Sequence, residues 1–110
     1  MTWFPCPYLG RPVELTGERE HHIESAHPDL LPANPSRLEE TIALPDYVGS
    51  REARTEIGFV RFWPDLLGGR WVVVVVVGDR DGLSGTLRYW IVTAYVARQT
   101  RTWRPVWEPN

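Results

Sequence analysis

Six consecutive valines, Val72 to Val77, follow Trp71. A β-branched side chain at every position, with no polar alternation, suits a strand covered on both faces. The run is far shorter than the roughly 20 residues a membrane span requires. It therefore predicts a central strand and makes the rest of the chain its cover.

Two further segments read as strands. From Ile57 to Trp63 one face carries Ile57, Phe59, Arg61 and Trp63, and the other Gly58, Val60 and Phe62. From Leu87 to Val96 strict alternation places Tyr89, Ile91, Thr93 and Tyr95 together. Pro64–Gly69 and Gly78–Gly82 read as the turns between them. Shorter candidates are Pro12–Leu15, as strand or lead-in, and Asp46–Ser50, as a turn into a strand or loop.

Helical signals come earlier. Thr16 or Gly17 opens a helix whose first turn holds Glu18 and Glu20, where carboxylates complement the helix dipole. Ile23, Ala26 and Leu30 form its apolar stripe, and Pro28 disfavours helical geometry at His27. Asn34-Pro35 marks a second start that puts Leu38, Thr41 and Ile42 inward, with Pro45 stopping the helix near Leu44. Two helices followed by hairpin-linked strands give an α+β domain over residues 1–110: helices packed on a mainly antiparallel sheet of about four strands. Residues 1–12 read as an irregular arm and 97–110 as an Arg/Trp-rich closing segment.

The lone Cys6 excludes an internal disulfide and a thiolate zinc site, and reads as a buried or spare thiol. Met1–Gly10 has no basic residue of the kind a signal peptide carries, so a cytoplasmic protein is expected. Every non-histidine base is Arg. Residues 1–60 carry 5 Arg and 10 acids, a balance of −5, whereas 61–110 carry 7 Arg and 4 acids, a balance of +3. The stretch Arg88–Arg104 has four arginines and no acid. Such asymmetry fits an anionic partner as well as it fits a solvated edge.

His21, His22 and His27 crowd into seven residues. Zinc helices use two histidines four apart; His22 and His27 are five apart, about 140° around a helix, so no metal is expected. If the helix loosens before Pro28, the two imidazoles can share a site as base and acid, with Glu18 orienting His22. Capping or surface placement is the plainer account. Thr93 and Tyr95 offer two hydroxyls that suit a phosphate oxygen, though both residue types also favour strands. Arg101 and Arg104, interleaved with Trp103 and Trp107, suit phosphate and unpaired bases, or seal a sheet edge. Arg61, between Phe59 and Trp63, needs either a carboxylate partner or a ligand. Gly68-Gly69 precedes no helix and lacks nucleotide-loop spacing.

In order along the chain stand His22-Ile23, His27-Pro28-Asp29-Leu30, Pro45-Asp46-Tyr47-Val48, the valine strand, Thr93-Ala94-Tyr95 and Trp107. This series resembles the metal-independent ribonucleases grouped with barnase, EndoU, the tRNase colicins and RelE, the BECR group. The resemblance implies helices on one face of a four-stranded antiparallel sheet and a site on the other. It implies RNA cleavage by 2′-OH attack, giving a cyclic phosphate without a cofactor. In that scheme His22, His27, Thr93 and Tyr95 are catalytic, and Arg61, Arg101 and Arg104 hold the substrate. A non-catalytic RNA- or protein-binding module, or a toxin-like domain held by an inhibitor protein, is the competing expectation.

Overall fold

The computed structural model describes residues 1–51 and 55–110. Two helices and seven strands follow the order β1 (Thr2–Phe4), β2 (Val13–Leu15), α1 (Gly17–Ala26), α2 (Pro35–Ala43), β3 (Tyr47–Ser50), β4 (Ile57–Trp63), β5 (Arg70–Arg80), β6 (Leu87–Ala97) and β7 (Arg104–Trp107). All seven strands join one sheet in the order β1-β2-β6-β5-β4-β3-β7, antiparallel except at β2–β6.

The α+β class and the three long strands agree with the sequence reading, and the valine strand β5 lies at the centre. The strand count does not agree: the sheet has seven strands, not about four. The arm at 1–12 contributes β1, and the closing segment contributes β7, which pairs with β3. Two short strands also precede the helices. Strands of three or four residues carry almost no periodic signal, and their pairing is set by distant neighbours. The expected turn at Gly78–Gly82 begins later, because β5 and β6 stay paired out to Arg80 and Leu87.

The helices cover one face. Thr16 caps α1, its Oγ1 accepting from Arg19 N at 3.2 Å, and the helix ends at His27, before Pro28. Ile23 of α1 and Leu38 and Ile42 of α2 are fully buried with Phe59, Val72, Val74, Val76 and Ile91. Each such aliphatic side chain contributes about 1.5–3 kcal/mol on burial. Cys6 joins this core, and burial pushes its thiol above the ordinary range against hydrogen bonds from the Leu9 and Tyr8 backbone.

The opposite face has no helix residue in its core. Val60, Val73, Val75 and Trp103 are buried there, flanked by Tyr47, Trp71, Val92 and Tyr95. Trp103 is only 1% exposed although it follows β6 by six residues. Its indole rests on two bare glycines: a Cβ at Gly58 would come within 2.4 Å of the ring, and one at Gly49 within 3.0 Å of Trp103 Cβ. Gly49 and Gly58 are register partners, so they form one flat seat across β3 and β4.

Candidate active site

The cluster begins with an irregularity in β6. Thr93 pairs with Val75 and Ile91 with Val76, so Val92 is an extra residue, a β-bulge. The bulge reverses the side-chain alternation. Tyr89 and Ile91 pack with the helices, while Tyr95 packs on the helix-free face, and Thr93 lies opposite Val75 of that face. The common face expected for Tyr89, Ile91, Thr93 and Tyr95 is thus split, with Thr93 and Tyr95 turned away from Tyr89 and Ile91. Arg19 of α1 donates to the carbonyl of the bulged Val92 at 3.3 Å.

The short β2, with this hydrogen bond, lets α1 lie along the edge of β6. β2 pairs with β6 only at Tyr89 and Trp90, which leaves the later edge of β6 to α1. The C-terminal end of α1 thereby overhangs the edge. His27 lies 6.0 Å from the Tyr95 ring, centroid to centroid, at 43°. Tyr95 Oη accepts a 2.8 Å hydrogen bond from Trp103 Nε1, so its own proton remains available to donate. Thr93 Oγ1 is buried and has no hydrogen-bond partner among the described residues. Buried hydroxyls are ordinarily paired, so this one is a donor left without an acceptor among the described residues.

One residue that no sequence motif singled out joins the cluster, Arg51, which lies on the indole of Trp103. The Arg51 guanidinium stacks over the Trp103 ring at 4.3 Å, and its Nη2 donates to Glu56 Oε1 at 2.6 Å. Arg51 Nε is buried without a partner among the described residues. An arginine at a strand end carries no motif, and its place follows from Trp103 folding back onto Gly58. The indole of Trp103 thus carries the Arg51 cation on its ring and bonds to the Tyr95 phenol, whose own ring neighbours the His27 imidazole.

The other expected residues lie elsewhere. His21 and His22 are exposed on α1, and of the three histidines His27 alone meets Tyr95 among the described residues. Glu18 accepts from Arg19 at 3.0 Å. Arg61 belongs to the helix-side face: it stacks on Trp63 at 4.5 Å and donates to Leu44 O at 3.0 Å. Its charge between two aromatics is accounted for by those partners. Arg101 and Arg104 are exposed and line a hollow with Tyr47, Trp71 and Arg98. Of the acid-free arginines, Arg88 instead holds the buried Glu14 through bonds of 2.7 and 3.0 Å.

Fold and cluster define an α+β protein with one helix-covered sheet face and one polar–aromatic face. The chain matches no protein-family model, no curated protein and no solved structure. No helix among the described residues is long and apolar enough to cross a membrane.

Proposed function

We propose that the protein is a metal-independent endoribonuclease whose site is the His27–Thr93–Tyr95–Arg51 cluster. The observation that carries this reading is the meeting of His27 with Tyr95 beside a buried hydroxyl that has no partner. Histidine is the side chain suited to proton exchange near neutral pH. His27 takes the proton of the 2′-OH as its oxygen attacks phosphorus. The P–O5′ bond breaks, and the departing oxygen receives a proton from the Tyr95 hydroxyl, leaving a 2′,3′-cyclic phosphate. Arg51, a third of whose side chain is exposed, supplies positive charge that a pentacovalent phosphate needs, and Thr93 Oγ1 supplies a donor when the substrate displaces the side chains that cover it. His22 has no part in this scheme.

Single-stranded RNA incubated in EDTA with the purified protein tests the reading. Cleavage leaving cyclic ends is expected, and His27→Ala should slow it about 10²–10⁴-fold. A folded His27→Ala variant that cleaves at the parent rate overturns the assignment. Absence of cleavage by the folded parent protein overturns the ribonuclease and favours a non-catalytic RNA-binding module.

A further inference from the structure

We propose that the hollow bordered by Tyr47, Trp71, Arg98, Arg101 and Arg104 holds an unpaired nucleotide, which makes single-stranded RNA the substrate class. The ribonuclease reading supplies the scissile nucleotide next door, but binding in the hollow is measured separately from cleavage.

The hollow has a volume of about 470 Å³. Arg98, Arg101 and Arg104 are exposed, and none forms an ion pair among the described residues. Three guanidiniums on one short segment, without a carboxylate partner among the described residues, repel one another, and a phosphate relieves that repulsion. The segment is held ready. Tyr47 Oη donates to Thr100 Oγ1 at 2.7 Å, and Arg101 N donates to Gln99 Oε1 at 2.9 Å.

The floor suits a base. Trp71 is half-buried, gripped by Phe62 (centroids 5.2 Å apart) and by Tyr47 (6.4 Å) in edge-on packing that fixes its plane. Its partner on β6 is Ala97, whose methyl leaves the indole uncovered on that side. An aromatic face beside arginines stacks an unpaired base; a base inside a duplex has no free face to offer. Ala97 lies two residues from Tyr95 along β6, about 7 Å, and Trp103 borders both places. A continuous strand can therefore lie across both.

The test titrates a short 2′-O-methyl oligonucleotide, which lacks the attacking hydroxyl, into the parent protein and follows tryptophan fluorescence. Quenching is expected, weakened at least tenfold by Arg101→Ala/Arg104→Ala, with the slope of log K against log salt shallower by about 0.7 for each phosphate no longer neutralised. Trp71→Phe should remove most of the quench, and the same sequence as a duplex should bind at least tenfold more weakly. Parent-like affinity and salt slope in the double arginine variant, or equal duplex binding, overturns the proposal. So does a folded protein that binds no oligonucleotide, which would point to a protein surface instead. Binding that depends on the arginines without any cleavage by the parent keeps the subsite and removes the ribonuclease. Cleavage whose KM ignores the arginine changes does the reverse.

Discussion

Replacing Thr93 by Val separates stability from activity in one step. The two side chains have nearly the same shape, so the change swaps a buried hydroxyl for a methyl. Thr93 Oγ1 is out of reach of solvent and has no hydrogen-bond partner among the described residues. A buried polar group left unpaired costs about 1–3 kcal/mol. Thr93→Val should therefore stabilise the fold, and with some offset from imperfect packing about 1–2 kcal/mol is expected. For a chain of this length that corresponds to a rise in Tm of roughly 4–8 °C. Thermal unfolding followed by circular dichroism reads it directly. Cleavage in EDTA should fall about 10²-fold in the same variant, as when one transition-state donor is removed. A lower Tm would show that the hydroxyl is paired after all and would overturn the expected gain at its root. A higher Tm with unchanged cleavage would show that the hydroxyl faces no substrate.

Further outcomes follow from the seat of Trp103 and from the buried carboxylate. Gly58→Ala drives a methyl to within 2.4 Å of the indole, so a loss of about 1–3 kcal/mol and a red-shifted tryptophan emission are expected; Gly17→Ala, with nothing within 4 Å, should cost nothing. Thr16→Ala removes the α1 cap and should cost about 1 kcal/mol by denaturant unfolding, with His27 displaced and cleavage reduced. The hydrogen bond from Arg88 holds the Glu14 carboxyl below its usual range, against burial that raises it. Its contribution is then fully present above the usual glutamate range and is lost as pH falls through the folded value. Tm measured downward from pH 6 should drop in the parent and drop less steeply in Arg88→Ala.

The sequence determined the pieces whose signal is local. Six valines in a row require cover on both faces, and the Thr16 cap, the Pro28 stop and the Pro35 start bound the helices within a few residues. These depend on backbone sterics and side chains close along the chain, so they can be read without knowing the fold. His27, Thr93 and Tyr95 are legible as candidates for the same reason, since a histidine beside a helix-ending proline and paired hydroxyls on a strand are local patterns.

Only the tertiary structure decided how they meet. The extra residue at Val92 turns Thr93 and Tyr95 to the helix-free face, and no alternation pattern announces a bulge. The short β2 frees an edge for α1, which carries His27 over Tyr95 and leaves His22 in solvent. Arg51 enters the cluster because Trp103 folds back onto Gly49 and Gly58, residues distant in sequence that become one seat only when β3 and β4 pair. Arg61 leaves it because its partners, Trp63 and Leu44, lie across the sheet. Long-range pairing chooses the face on which each side chain stands, and that choice separates a site residue from a structural one.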